Sequence, residues 1–339
     1  MIHPKVCIVN VSERCALRCV HCYLAAKEGA RKEMSLEQAD RLFGQLKGVK
    51  SRITGVEGDH SQIEKIVDIA DRHGVRFSLS LSPLYLSEKM ACDVADRVKG
   101  FTVSLDGGTP ETNDRIRNCP GTFDKTIKIL KFLQDNGLKH SVFCAVSNFN
   151  LNEVRLIVER IRGIANEVIF IYTSNFGRAV KEMTVSKDDW AALTGELEEI
   201  KKSDTGIRIV YEPIFCRKNK TEYPDYEPCS LYSKRMCFID CEGNVYFCSL
   251  LAERNECMFS LGNIFKEDFS KIWAGSPKWE EFRKLNEEKT EKCNSCSALD
   301  KCSRGCFANT IVHGRQMPEG TCSSDTMPMC YMYWYGIFD

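Results

Sequence analysis

The sequence predicts an α/β fold built from repeated βα units, and three observations carry that prediction. Short apolar runs alternate with amphipathic stretches at a repeat of roughly 25 to 40 residues through the first part of the chain. A Cys-x3-Cys-x2-Cys triad, Cys15, Cys19 and Cys22, stands just past the first apolar run. Of nineteen cysteines, twelve lie between Cys216 and Cys330, so a regular, cysteine-poor body is followed by a cysteine-rich region.

The first run, Val6 to Val11, reads as a buried strand. The triad then sits on the loop leaving that strand's C-terminal end, the edge where α/β sheets and barrels bind their ligands. Further strands are expected at 51–55, 75–81, 100–105, 139–146 and 167–172. Ser35, with Gln38 three residues on, is a capping-box pattern opening a helix that runs to Leu46. Thr122 is expected to cap the helix carrying Phe123, Ile127, Leu130 and Leu133, and Gly137 to stop it. Six such units fit an incomplete barrel, and a doubly wound open sheet fits nearly as well.

Composition narrows the function. With 339 residues, 43% of them apolar, the chain can bury a sizeable core, and the length suggests two domains. Lysine plus arginine and aspartate plus glutamate both total 47, so no net charge argues for nucleic acid or an anionic membrane surface. No apolar stretch approaches a membrane span and no secretion signal opens the chain, which points to the cytoplasm. In that reducing compartment nineteen cysteines call for metal more than for disulfides.

Three thiolates hold a four-iron cluster while leaving its fourth iron open for chemistry. With the triad after its first strand, the chain resembles the radical S-adenosylmethionine (radical SAM) enzymes. The resemblance implies a partial (β/α)6 TIM-like barrel over residues 1–205, with Cys15, Cys19 and Cys22 holding the cluster. It also implies SAM on the open iron, cleaved to a 5′-deoxyadenosyl radical. Gly55, Val56, Glu57 and Gly58 stand where the family has Gly-Gly-Glu-Pro, a partial match that implies contact of Gly55 and Glu57 with the SAM amino group. Ser104, Leu105, Asp106 and Gly107 match the family's Ser-Leu-Asp-Gly, and Asn113, Asp114 and Arg117 follow its His-Asp-x-x-Arg. Ser104 and Arg117 are thereby expected on the SAM carboxylate, which a guanidinium fork suits, and Asp106 in a structural role. Asn150 is expected to face SAM, and Gly177, Arg178 and Ala179 match a recurrent Gly-Arg-Ala of unclear role.

In the C-terminal third, Cys229, Gly243 and Cys248 precede Cys293-x2-Cys296-x5-Cys302-x3-Cys306 and Cys322. This resembles the SPASM domain, expected over 206–339, which binds two auxiliary iron–sulfur clusters. Its pattern implies an inner cluster on Cys229, Cys248 and Cys306 and an outer one on Cys293, Cys296, Cys302 and Cys322. A two-residue Glu242–Gly243 turn would set Cys237 across from Cys248, making Cys237 a candidate fourth inner ligand; Cys216 and an open iron are the alternatives. Ser249 stands where anaerobic sulfatase maturases carry an aspartate base, which argues against oxidation of an alcohol or thiol side chain of a protein, as those maturases perform.

The resemblance implies modification of a ribosomally made precursor peptide by hydrogen abstraction, leaving a crosslink or an altered residue. Oxidation of a small polyol or amino sugar is the alternative. Fourteen residues precede Cys15, so leader recognition is expected from a separate protein or from the SPASM surface, and reduction from a flavodoxin or ferredoxin. The aromatic tail from Tyr331 to Phe338 is expected to pack on the barrel or to dock peptide.

Overall fold

The computed structural model describes residues 3–25, 32–49, 53–203, 206–211, 229–252, 258–289, 294–295 and 306–312. Seven parallel strands run in chain order through one sheet: β1 (Val6–Asn10), β2 (Ile53–Glu57), β3 (Ser78–Ser80), β4 (Gly100–Ser104), β5 (His140–Val146), β6 (Glu167–Tyr172) and β7 (Arg208–Tyr211). Each pairs with the next, and helices fill the connections, which is the partial barrel that the βα repeat predicts. The second strand lies two residues later than expected, and the third keeps only the middle of its apolar run. β7 adds a seventh parallel strand on the free edge of β6, with Glu167 opposite Arg208.

Helix α1 (Leu36–Leu46) starts as its sequence dictates: Ser35 Oγ accepts from Gln38 N at 3.1 Å and Gln38 Oε1 accepts from Ser35 N at 2.8 Å. It turns Ala39, Leu42, Phe43 and Leu46 onto the sheet, and α2 (Ile63–Arg72) does the same with Ile63, Ile66, Val67 and Ala70. Two further helices, α3 (Glu88–Val94) and α4 (Pro110–Arg117), follow the third and fourth strands.

Thr122 is the first residue of α5 (Thr122–Asp135) and not its cap. Asp114 takes that role: its carboxylate accepts from Gly121 N at 2.5 Å and Phe123 N at 2.7 Å, satisfying amides that a helix start leaves open. Gly137, at φ +64, follows the helix end as expected.

The C-terminal region is not a separate body at the sheet. Strand β8 (Met236–Ile239) pairs in parallel with β1, and β9 (Asn244–Tyr246) and β10 (Gly262–Asn263) continue the sheet antiparallel. β1, the strand that delivers the triad, therefore lies between β2 and the hairpin of β8 and β9. That arrangement sets residues of both regions around one cavity.

Candidate active site

The C-terminal strand ends and the hairpin enclose a cavity of about 210 Å³. Cys15, Cys19, Cys22, Glu57, Ser104 and Arg117, all singled out by sequence, line it. So do Phe238, Asp240 and Cys241 from the hairpin.

The triad loop is shaped by its own backbone. Ser12 Oγ accepts from Arg14 N at 2.9 Å, Cys15 Sγ accepts from Leu17 N at 3.4 Å, and Cys22 N donates to Cys19 O at 3.3 Å. Neighbouring strand ends hold it in place. Asp59, buried just after β2, accepts from Ala16 N at 2.9 Å and from Ser82 N and Oγ at 2.9 and 2.7 Å, stapling the loops after β1, β2 and β3 together. Gly58, at φ +105, lets the chain pass Ser12, whose carbonyl oxygen would stand 2.6 Å from a Cβ. Proline, whose φ is fixed at about −65°, cannot adopt that conformation.

Arg117 is buried on the far side of the loop. Its Nη2 stands 2.5 Å from Asp106 Oδ2 and its Nη1 donates to Cys19 Sγ at 3.5 Å. The guanidinium thus has a carboxylate of this chain as well as a cysteine sulfur, and Asp106 is structural as expected: its Oδ1 accepts from Ala145 N at 2.8 Å. His21 Nε2 lies 3.6 Å from Asp106 Oδ2, but burial pushes its pKa down to about 4, so the ring is neutral at pH 7.

Burial also pushes the Cys15 thiol up to about 12, with the Asp59 charge adding to it. It raises the Cys19 thiol too, against the pull of Arg117. Metal binding must therefore displace protons from these thiols.

Among the other expected SAM residues, Glu57 accepts from Tyr23 Oη at 2.6 Å, and burial raises its carboxyl above the usual range. Gly55 lies two residues before Glu57 on the same strand face, against Ile8, and does not line the cavity. Asn150 does not reach it either. Its Nδ2 donates to Asp106 O and Ala145 O at 2.8 and 2.9 Å, and its Oδ1 accepts from Ser147 N at 2.7 Å, so the carboxamide braces the loop carrying Asp106.

In the C-terminal region Cys229, Cys248 and Cys306 are all buried. Burial, with the nearness of Cys306 and Cys229 adding to it, raises the Cys248 thiol well above its usual range. The chain neighbours of Cys248 and Cys306, Phe247 and Phe307, belong to a ring cluster: the Phe247 centroid lies 5.6 Å from Trp279, 5.9 Å from Phe282 and 5.5 Å from Phe307. Cys216, Cys293, Cys296, Cys302, Cys322 and the aromatic tail lie outside the described residues.

The hairpin corrects one expectation. Its loop holds three residues, Cys241, Glu242 and Gly243, because Asp240 and Asn244 still pair and Gly243 takes φ +83. The register Phe238 to Tyr246 carries Cys237 opposite Phe247, and the one-residue shift turns Cys237 away from Cys248. Cys237 instead sits in register with Cys7 on β1, their thiols in hydrogen-bond contact.

Among the described residues, no three His, Cys, Asp or Glu side chains converge tightly enough for one metal ion. A zinc ion gathers its sulfurs at about 2.3 Å around one centre, whereas a four-iron cluster takes each thiolate on a separate iron. Three thiols spaced along one loop and lining one cavity suit the cluster.

Sequence reasoning did not single out Asp59, Tyr23, Asp240 or Cys241. Asp59 directly follows the partial Gly-Val-Glu-Gly match, where a signal lay. The hairpin residues gave none, because only the parallel pairing of β8 with β1 carries them to the cavity.

The Radical SAM superfamily model matches residues 9–161, and that of the SPASM iron–sulfur cluster-binding domain residues 229–297. The AdoMet-dependent heme synthase of Methanosarcina barkeri is 24% identical over 335 residues, covering 91% of this chain and 93% of that protein. The mycofactocin maturase MftC of Mycobacterium tuberculosis is 25% identical over 346 residues, covering 95% and 83%. The structure of Streptococcus suis SuiB bound to precursor peptide SuiA superposes with a TM-score of 0.76 at 18% identity, over 94% of this chain and 74% of that one. Among the described residues no helix is long and apolar enough to cross a membrane.

Proposed function

Since the chain belongs to the radical SAM superfamily and carries its SPASM domain, we propose that it modifies a ribosomally made precursor peptide by hydrogen abstraction, installing a crosslink or an altered residue. A [4Fe–4S] cluster with SAM on its open iron supplies the 5′-deoxyadenosyl radical, and auxiliary iron–sulfur clusters supply an electron sink. Cys15, Cys19 and Cys22 bind the first cluster. Cys229, Cys248 and Cys306 bind the inner auxiliary one, and Cys293, Cys296, Cys302 and Cys322 the outer. Glu57 and Ser104 orient SAM from the ends of β2 and β4. Gly55 acts through the placement of Glu57 and Asn150 through Asp106. Arg117 serves the site from beside Cys19, with any contact to the SAM carboxylate shared with Asp106. Residues 1–205 form the catalytic body and 206–339 the auxiliary-cluster region, whose β7 and β8 extend the barrel sheet. A flavodoxin- or ferredoxin-type donor and a separate leader-recognition protein complete the system, in the cytoplasm.

The observation that carries the choice of substrate is the charge of the cavity wall. Glu13, Glu57, Asp59, Asp240 and Glu242 line it beside two cations, Arg14 and Arg117, and with Lys32 paired to Glu242 at 2.7 Å the wall stays acidic on balance. A heme precursor, the second reading favoured by similarity to the heme synthase, is itself a polycarboxylate, which such a wall repels. A neutral or basic peptide segment meets no such barrier, and the maturase MftC is as similar over as much of the chain.

The test is anaerobic incubation of the reduced protein with SAM and the peptide encoded beside its gene. Formation of 5′-deoxyadenosine with a mass shift of the peptide is expected. SAM cleavage that leaves the peptide unchanged but converts a heme precursor would overturn the peptide reading.

A further inference from the structure

The turn after β6, Gly177 and Arg178, reaches back across the barrel mouth to the triad loop. Arg178 N donates to Cys22 O at 3.0 Å and its Nε donates to Cys19 O at 2.8 Å. Two carbonyls of the loop, those of its second and third cysteines, are thus held by one residue from a strand five positions away in the sheet. Gly177 makes the approach possible. It sits at φ +62, and a Cβ there would stand 2.1 Å from Cys22 O and 2.6 Å from Tyr23 O. Both contacts are to backbone, so no side chain can swing away to make room. The turn is itself anchored: Ala179 N donates to Phe176 O at 3.0 Å, and both residues are buried.

Other contacts hold the loop elsewhere. Asp59 takes Ala16 N, and Val20 N donates to Ile116 O at 2.9 Å. Neither touches the Cys19 and Cys22 carbonyls, which accept from Cys22 N at 3.3 Å and Ala25 N at 3.1 Å within the loop. Arg178 ties both carbonyls to β6, and it also brings a permanent positive charge beside the two ligands.

We propose that Gly177 and Arg178 form a clamp from β6 that positions Cys19 and Cys22 as cluster ligands, Gly177 through its missing side chain and Arg178 through its two hydrogen bonds. The inference rests on the assignment of the triad to the SAM-binding cluster. Neither residue touches the reacting atoms; both act through the loop. Loss of the guanidinium leaves the Cys19 carbonyl with its bond from Cys22 N alone, which loosens the loop's tie to β6, and removes a nearby cation, which lowers the cluster's reduction potential.

Arg178→Gln, Arg178→Lys and Gly177→Ala test the clamp on the full chain, with three readouts. In metal-free protein, alkylation of each cysteine followed by peptide mass spectrometry is expected to speed up several-fold at Cys19 and Cys22 in Arg178→Gln, with Cys15 little changed. In anaerobically reconstituted protein, the SAM-responsive part of the iron–sulfur signal is expected to fall by more than half while the auxiliary part stays. The midpoint potential of what remains is expected to move negative in Arg178→Gln and to be largely restored in Arg178→Lys. Wild-type alkylation pattern, cluster signal and potential in Arg178→Gln would overturn the clamp, whether or not Gly177→Ala folds. A wild-type protein whose cluster ignores SAM would instead remove the assignment beneath it, and the alkylation pattern would still decide whether the turn holds the loop.

Discussion

The two groups of described thiols lie in opposite surroundings. Cys15, Cys19 and Cys22 sit among fixed charges and hydrogen bonds from the ends of β1, β2, β4 and β6: Asp59, Arg117 with Asp106, and Arg178. Cys229, Cys248 and Cys306 are buried, and the chain neighbours of the last two, Phe247 and Phe307, pack in one ring cluster with Trp279 and Phe282. A cluster in the first setting would have donors and cations beside it to tune its potential. One in the second would lie among buried apolar side chains, which suits passing electrons. The difference teaches that position along the chain says less about a cysteine's task than what its loop is fastened to.

The sharpest way to break this contrast is to replace ligands one at a time. Serine at Cys15, Cys19 or Cys22 is expected to take 5′-deoxyadenosine formation to background while auxiliary iron stays. Cys248→Ser is expected to keep SAM cleavage and lose the modified product, as measured by chromatography of both. Equal loss of SAM cleavage in both groups would erase the division of labour.

Two substitutions of similar cost should separate the settings by what else they change. Phe247→Ala removes a ring at the centre of the aromatic cluster and should cost about 3–5 kcal/mol in chemical denaturation, with auxiliary iron lost and the SAM-responsive potential unmoved. Asp106→Asn leaves Arg117 buried without its carboxylate and should cost about 3–5 kcal/mol. Here the SAM-responsive potential should move as well, because Arg117 donates to Cys19 Sγ. A potential shift in Phe247→Ala and none in Asp106→Asn would reverse the assignment of roles.

The smallest effect expected is remote from both groups. Glu167, on β6 opposite Arg208, is pushed up to about 7 by burial, against the pull of that arginine at 2.6 Å. A carboxyl whose folded pKa is raised contributes stability at low pH that is lost as pH rises from the ordinary carboxylate range through about 7. Glu167→Gln lacks that loss, so its stability relative to wild type should improve between about pH 5 and about pH 8, by at most on the order of 2–3 kcal/mol. Denaturation midpoints of both proteins across that range check the sign. An unchanged SAM-responsive signal would mark Glu167 as separate from the two cluster settings.

Much of the barrel was legible because local signals and the final fold agree: the βα repeat, the Ser35 and Gln38 box and Gly137 all appear as written. Asp114 took the cap expected of Thr122 because a carboxylate two turns earlier reaches two free amides at once. The Cys237 register failed for a similarly small reason. One extra loop residue with Gly243 at positive φ turns every following side chain over, and no periodicity in so short a hairpin records it. The triad could be found from spacing, and Ser104 and Arg117 from resemblance to family motifs, but Asp59, Asp240 and Cys241 could not. Their positions depend on contacts between strands far apart in sequence, above all β1 with β8. Arg178 lay in between: its motif was visible, and its partners were not.

The most direct test of the central claim is electron paramagnetic resonance of the anaerobically reconstituted, reduced protein with and without SAM, followed by assay for 5′-deoxyadenosine. SAM is expected to alter the signal of the cluster held by Cys15, Cys19 and Cys22, and 5′-deoxyadenosine to accumulate. A signal indifferent to SAM, with the cluster intact and no 5′-deoxyadenosine formed, would contradict the account.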